Sequence, residues 1–158
     1  MDLSPKINWL NNEFAPFLEK VQSHHIFDFC LAYVERADEC ILSSFAINEG
    51  FVRRLIKNRG LLGNLSVIWD SNMAAQNIGK LLFTAKNTNA LYLANNHSKV
   101  LYMANKNKQC VAVSSVNTTG NYRYEGGFIT INPELVDFYK QKLDLLILDS
   151  KPWTNYRK

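Results

Sequence analysis

Two pairs of polar side chains interrupt apolar segments of this sequence. His97 and Lys99 lie in the first of two extended segments between Asn96 and Asn117, and Ser115 and Asn117 lie in the second. Within each pair the residues are two apart, and in an extended chain residues i and i+2 point to the same side. If the two segments pair as neighbours, an imidazole, an ammonium, a hydroxyl and an amide share one side of a sheet. That set of groups suits an anionic oxygen ligand such as a phosphate.

Further residues extend the pattern. Ser114 precedes the second pair, and the carboxylate of Glu125 follows it. Together with His97-x-Lys99 and Ser115-x-Asn117 they resemble the phospholipase D superfamily, whose motif is His-x-Lys, four residues, Asp, then a strand ending in Gly-Ser-x-Asn. The resemblance covers residues 91–131. It has two departures: Ala104 stands where the family has Asp, and Ser114 replaces the usual glycine.

The chemistry of phosphodiester cleavage gives these residues roles. The reaction needs a nucleophile, a charge clamp on the phosphoryl oxygens and an acid for the leaving group. An imidazole can attack phosphorus and form a phosphohistidine, which splits one hard step into two. We therefore expect His97 to be the nucleophile, with Lys99 and Asn117 on the phosphoryl oxygens. Glu125 is expected to accept a hydrogen bond from the other ring nitrogen of His97.

Three further side chains are expected to bind substrate, namely Ser114, Ser115 and Arg123. No metal and no other cofactor are expected, since the protein itself supplies the cations. Proteins of the family bring two His-x-Lys motifs together, and this chain has one. The resemblance therefore implies a homodimer in which His97 and Lys99 of both subunits meet across a two-fold axis.

Composition limits the class of protein. With 158 residues, 47% of them hydrophobic and 20% charged, the chain is expected to form one globular phospholipase D-like domain over residues 1–158. The net charge of +4 permits an anionic partner. Three cysteines without metal-ligand spacing indicate reduced, buried thiols. The amino terminus lacks the basic start and apolar run of a signal peptide, so we expect a cytoplasmic protein without membrane contact.

Apolar spacing predicts how the elements alternate. A helix is expected from Ser4-Pro5 to Val21, ending at His24 and His25, which are interpreted as capping or surface residues. The remaining predictions, in order, are strands at Ile26–Val34 and Cys40–Ile47, a helix ending at Gly60, a strand at Leu65–Asp70, a helix at Asn72–Lys86, a strand at Ala90–Ala94, the two motif strands, a strand at Gly127–Ile131 and a helix at Pro133–Leu143. This alternation predicts an α/β fold with a mixed, largely parallel sheet flanked by helices on both faces.

Three functional hypotheses follow. The first is a metal-independent, non-specific endonuclease that cuts DNA or RNA through a phosphohistidine at a homodimer interface. The size and basic balance favour nucleic acid over lipid, with Arg53, Arg54 and Lys57 as further phosphate contacts. The second is a catalytically impaired nucleic-acid-binding module, which Ala104 favours. The third is a targeting module of a larger restriction or helicase protein.

Overall fold

The computed structural model describes residues 7–118 and 123–154. In chain order the elements are β1 (Phe14–Lys20), α1 (Ser23–Val34), β2 (Ala37–Ser44), α2 (Glu49–Lys57), a 3₁₀ turn (Arg59–Leu61), β3 (Leu62–Asp70), α3 (Ser71–Ala75), α4 (Ile78–Lys86), β4 (Ala90–Ala94), β5 (Val100–Ala104), β6 (Gln109–Ser114), β7 (Tyr124–Thr130), α5 (Pro133–Asp149) and β8 (Lys151–Pro152). The α/β class predicted from the sequence is confirmed.

The strands form one eight-stranded sheet in the order β1-β7-β6-β5-β2-β3-β4-β8. Only the β2–β3 and β3–β4 pairings are parallel, and the other five are antiparallel. The sheet is mixed as predicted, but the expectation of a largely parallel sheet is wrong. The two parallel pairs are those whose neighbouring strands are joined through helices, β2 to β3 by α2 and β3 to β4 by α3 and α4. In contrast, β5 and β6 are joined by a four-residue turn that allows only antiparallel pairing.

Helices cover both faces of the sheet, as predicted. One core lies between the sheet and the helices α1 to α4, and it contains the buried Trp69 and Phe27. The second, smaller core lies under α5, where Val136 and Leu143 pack on Ile41 of β2. All three cysteines are buried and free, which agrees with the prediction of reduced thiols.

The amino-terminal helix prediction is wrong, because residues 14–20 of its range form the strand β1. Burial in β1 alternates with a period of two: Ala15 and Phe17 are buried, whereas Pro16 and Leu18 are exposed. The strand lies at the sheet edge and pairs only with β7, a position that tolerates proline. The predicted start at Ser4-Pro5 lies outside the described residues.

The strand predicted at Ile26–Val34 is also wrong, because this range belongs to α1. The buried residues of α1 recur at helical spacing, namely Ile26, Phe27, Cys30, Leu31 and Val34. A run of apolar residues hid this periodicity. The two histidines accordingly lie in the first turn of α1 rather than after a helix. His25 has a capping role there, since its Nδ1 accepts a hydrogen bond from the Gln22 amide at 3.0 Å.

The single helix predicted at Asn72–Lys86 is divided into α3 and α4. The division falls at Asn77, whose side chain donates to the Met73 carbonyl at 2.8 Å and so competes with helical bonding. In α4 the side chain of Leu81 is buried, whereas those of Ile78 and Leu82 are exposed. The last helix extends beyond its predicted end, to Asp149.

Candidate functional site

The start of β5 and the end of β6 lie side by side in an antiparallel register. The Ser114 amide donates to the Lys99 carbonyl at 3.1 Å, which extends this pairing beyond the strand ends. His97 and Lys99 lie in the segment that enters β5, and Ser115 and Asn117 lie in the segment that leaves β6. The four predicted groups thus come to one end of the sheet, in connecting segments rather than in the strands themselves.

His97 and Lys99 contact each other. The Lys99 Nζ lies 3.2 Å from His97 Nδ1 and donates to the His97 carbonyl at 2.9 Å. An ammonium group can only donate hydrogen bonds, so His97 Nδ1 is the acceptor in this contact. The ring of Phe45 lies 4.5 Å from the His97 ring, between centroids. His97 is exposed to solvent, whereas Lys99 is half-buried.

The electrostatic environment makes Lys99 a poorly solvated cation. Burial lowers the pKa of Lys99, the charge of Glu125 raises it and the charge of Arg123 lowers it, with a net shift below the usual lysine value. An anion bound beside Lys99 would offset the lost hydration. The side chain is therefore suited to hold a phosphate oxygen.

Glu125 is buried and joins two other predicted residues. It accepts a hydrogen bond from Arg123 Nε at 2.7 Å and another from the Ser115 hydroxyl. Burial raises the pKa of Glu125. The hydrogen bonds from Ser115 and Arg123 and the charges of Arg123 and Lys99 lower it by more, so the net pKa lies below the usual range. Glu125 is therefore an ionised carboxylate at neutral pH.

The same contacts change the expected roles of Ser115 and Glu125. The Ser115 hydroxyl gives its proton to Glu125 and accepts the Gly126 amide at 3.1 Å, so it has no second proton for a phosphate. Among the described residues no hydrogen bond joins Glu125 to His97. Within one chain the carboxylate orients Ser115 and Arg123, and its action on the imidazole stays a prediction.

Ser114 and Asn117 lie on the segment that leaves β6. The Ser114 hydroxyl accepts the Val116 amide at 3.2 Å and turns the chain. Asn117 precedes Thr118, which is anchored to the start of α2 because its carbonyl accepts the Asn48 amide at 3.0 Å. The Asn117 Oδ1 is buried and has no hydrogen-bond partner in the described parts of the chain. This oxygen is an acceptor and would need a donor, so only the Nδ2 of Asn117 could donate to a phosphate oxygen.

Gly127 allows β7 to approach this segment. A Cβ at Gly127 would collide with the Val113 carbonyl and lie 2.8 Å from the Ser114 Cα. Only glycine permits this close packing of β7 on β6. The packing brings Glu125, two residues earlier, next to Ser115.

Sequence reasoning missed two residues that adjoin the site. Phe45 contacts the His97 ring, and Asn96, the residue before His97, has a buried side-chain amide. A signal existed for the first, because the polar pair Ser43-Ser44 ends an apolar strand just before Phe45. The sequence offers no signal for the burial of Asn96.

Ala104, the position of the missing family Asp, lies at the opposite end of β5 from Lys99. It pairs directly with Glu39 of β2, so both side chains share one face of the sheet. Glu39 lies 3.6 Å from the Lys140 ammonium of α5. A carboxylate therefore occupies this region already, on the neighbouring strand.

Arg53 and Arg54, two of the three helix residues that were expected to contact phosphate, are engaged in ion pairs. Arg53 contacts Glu49 within α2 at 2.5 Å, and Arg54 forms a bidentate ion pair with Asp28 of α1.

No cluster of three metal-ligating side chains occurs in residues 7–118 and 123–154. Over the same residues, no helix is both long and apolar enough to cross a membrane. Asn121 and Tyr122, next to the site in sequence, lie outside the described ranges.

Solved structures identify the fold. NucT from Helicobacter pylori superposes with a TM-score of 0.67 at 18% identity, over 89% of this chain and 98% of that one. Nuc from Salmonella typhimurium, described as a phospholipase D family member, gives a TM-score of 0.61 at 18% identity over 82% of this chain and 91% of its own. The chain therefore has a phospholipase D-like fold, as its motif predicted.

The same fold occurs in a protein of a different kind. TrmBL2, an archaeal chromatin protein, superposes with a TM-score of 0.59 at 14% identity, over 89% of this chain and 54% of that chain. No family model and no curated protein sequence matches this chain.

Proposed function

We propose that this chain is a metal-independent phosphodiesterase. In this proposal it is an endonuclease without sequence specificity that cuts DNA through a phosphohistidine on His97. The observation that carries the proposal is the contact of an exposed imidazole with a half-buried ammonium, 3.2 Å apart. Beside them, on the segment that leaves β6, lies Asn117, whose side-chain Nδ2 can donate to a phosphate oxygen. These are the nucleophile, the cation and the amide that phosphoryl transfer requires.

The proposed reaction assigns each group a task. Lys99 leaves Nδ1 of His97 and binds a non-bridging oxygen of the incoming phosphate, and Asn117 binds a second one. An unprotonated ring nitrogen of His97 attacks phosphorus, the P–N bond forms, and the bond to the leaving oxygen breaks. Water then hydrolyses the phosphohistidine. Glu125 keeps Arg123 and Ser115 in place at the border of the site.

Protonation of the leaving oxygen requires an acid that one chain does not supply. We propose that it is His97 of a second copy, so that the site is complete only in a homodimer. The exposure of His97 permits such a meeting of two copies. Ser114 and Arg123 would then line the path of the nucleic-acid backbone, with the net charge of +4 favouring an anionic polymer.

Plasmid cleavage in excess chelator tests the activity. The parent protein is expected to nick and linearise plasmid DNA, and His97→Ala is expected to be inactive. His24→Ala is the matched control. It removes a histidine in the first turn of α1, where the His24 ring contacts the His25 ring. Cleavage that survives His97→Ala, or that requires added metal, contradicts the proposal. Parallel reactions with single-stranded DNA and with RNA define the substrate range.

Subunit mixing tests the shared site. Parent and His97→Ala chains carrying different tags are co-expressed in equal amounts, and the mixed population is assayed. If each site needs two copies of His97, activity falls to about one quarter of that of the parent, because only parent–parent dimers are active. A fall to about one half indicates that each chain acts alone.

The second candidate function is a nucleic-acid-binding module without turnover. Ala104 in place of the motif Asp favours it, and TrmBL2, with a similar fold, binds DNA as a chromatin protein. This candidate predicts retardation of DNA in a gel without cleavage, in both the parent protein and His97→Ala. The plasmid assay and the binding assay together separate the two functions.

A further inference from the structure

A buried polar network lies directly behind the catalytic pair. Its centre is Asn96, which is 4% exposed. The Asn96 side chain donates to the Ser43 hydroxyl at 2.9 Å, and its oxygen accepts the Ser98 amide at 3.0 Å and the Ser98 hydroxyl at 2.7 Å. The backbone amide of Asn96 donates to Asp70 Oδ2 at 3.1 Å. His97 thus stands between two residues that are fixed by the network.

The outer members of the network belong to the ends of two neighbouring strands. Asp70 ends β3, is 3% exposed, and caps α3 by accepting the amides of Asn72 and Met73 at 3.1 and 3.0 Å. Ser43 lies near the end of β2, is fully buried, and lies 2.5 Å from the Ser98 hydroxyl, between the Oγ atoms.

The route of the chain explains why these residues are needed. Between β4 and β5 the chain must pass the ends of β3 and β2, because the sheet order is β5-β2-β3-β4. Residues 95–99 make this crossing without any regular secondary structure of their own. Asp70 holds the segment at β3, and Ser43 holds it at β2. Buried and fully paired polar groups of this kind fix one geometry, since breaking any pair leaves a desolvated group unpaired.

We propose that Ser43, Asp70 and Asn96 are positioning residues that hold the 95–99 segment so that His97 and Lys99 meet one phosphate. The proposal rests on the proposed function, since it takes His97 and Lys99 as the reacting pair. None of the three touches the phosphate. They act by fixing the backbone on either side of His97, and thereby the contact between Nδ1 and the Lys99 ammonium.

Ser43→Ala with Ser66→Ala as its matched control tests the proposal. Ser66 is a buried serine of β3, the strand next to β2, and it lies on the same face of the sheet as Ser43. The first readout is the environment of the His97 ring, followed by nitrogen NMR at constant pH. We expect Ser43→Ala to change the ring nitrogen chemical shifts of His97, because the ring is no longer held against Lys99. Ser66→Ala should leave these chemical shifts unchanged.

Turnover on a chromogenic phosphodiester provides the second readout. Ser43→Ala should lower kcat about tenfold with little change in KM, because misplaced reacting groups weaken the chemical step more than ground-state binding. Unchanged ring nitrogen shifts of His97 in Ser43→Ala overturn the proposal, as does an equal kcat for the two serine variants when the parent protein turns over. The NMR measurement needs no turnover, so it decides the proposal even if the parent protein cleaves nothing and the proposed function fails.

Asp70→Asn is the second variant that tests the proposal, in case Ser43→Ala does not fold. The asparagine oxygen can still cap α3, but its amide faces the Asn96 amide and cannot accept a hydrogen bond from it. Hydrogen exchange at the Asn96 amide should rise about tenfold or more while protection of the Met73 amide is retained, and the ring nitrogen chemical shifts of His97 should change as above. Retained protection at Asn96 together with unchanged His97 ring shifts overturns the proposal.

Discussion

The two ends of the β5–β6 hairpin are both polar, but their side chains are used differently. At the end remote from His97, the turn is closed by Asn105. Its side chain donates to the carbonyls of Val34 and Arg36 at 2.9 and 2.7 Å, and its oxygen accepts the amides of Asn107 and Lys108, each at 2.8 Å. Every hydrogen-bonding position of this side chain serves the fold.

At the other end, side chains retain atoms that the fold does not use. His97 is exposed, and its contact with Lys99 joins two groups that can both turn to a ligand. Asn117 has a buried oxygen without a partner in the described residues. Polarity alone therefore does not identify a site. We expect a site where side chains that the fold does not need can turn to a ligand, and removal of such side chains should cost activity rather than stability.

The largest effect is expected at Lys99. Lys99→Met should lower kcat/KM for a phosphodiester by about 100-fold, because the phosphoryl oxygens lose their main cation. Lys106→Met, in the exposed turn at the remote end, is the matched control and should retain the parental rate. Steady-state kinetics of the two variants provide the measurement. Equal losses in both would mean that the lysines act only through net charge.

The pH dependence of phosphate affinity is the second prediction. The pKa of Lys99 lies below the usual lysine value, mainly because the side chain is partly buried. Lys99 is charged below this pKa and loses its proton as pH rises through it. Affinity for inorganic phosphate should therefore fall on the alkaline side at a pH below about 10.4, the ordinary lysine value. Calorimetric titration from pH 7 upward measures it, and constant affinity up to that pH would contradict the assignment.

Asn105→Ala should produce the opposite pattern to Lys99→Met. Loss of its hydrogen bonds is expected to lower the free energy of unfolding by about 1 kcal/mol, since the part-buried backbone groups of Val34 and Lys108 are left unpaired. The specific activity of the folded protein should change less than twofold. Urea unfolding and an activity assay measure the two quantities. Asn107→Ala, which keeps the backbone bond of the turn, is the control and should be nearly as stable as the parent protein.

The smallest effect is expected from restoring the motif carboxylate. Ala104→Asp would place a second negative charge directly opposite Glu39 and should destabilise the fold by about 1 kcal/mol. Glu39→Gln in the same chain should recover most of this loss. Activity should stay unchanged, because Ala104 is four residues from the start of β5, about 13 Å along the strand. A gain in turnover with Ala104→Asp would show instead that the missing Asp limits catalysis.

The site could be predicted from the sequence more completely than the fold around it. The spacing of His97, Lys99, Ser115 and Asn117 is local, and pairing of two adjacent strands is sufficient to bring them together. The parallel and antiparallel pairings depend on which strands helices connect, so counting alternating elements gave too many parallel pairs. The first two elements were assigned incorrectly because short apolar runs satisfy both helical and strand spacing.

The support of the site could not be predicted from the sequence. Ser43, Asp70 and Asn96 are 27 and 26 residues apart in sequence, and each alone resembles a capping or turn residue. Their contact follows from the order of strands in the sheet. The partners of Glu125 are local, but whether its carboxylate faces His97 or Arg123 depends on side-chain packing that spacing does not determine.

Mass spectrometry of the quenched reaction tests the central claim most directly. The parent protein is mixed with a short oligonucleotide in excess chelator, quenched in alkali to preserve phosphohistidine, and digested. We expect a nucleotide adduct on the peptide that contains His97, and its absence from His97→Ala. Steady turnover by the parent protein without any adduct on His97 would contradict a phosphohistidine mechanism for this site.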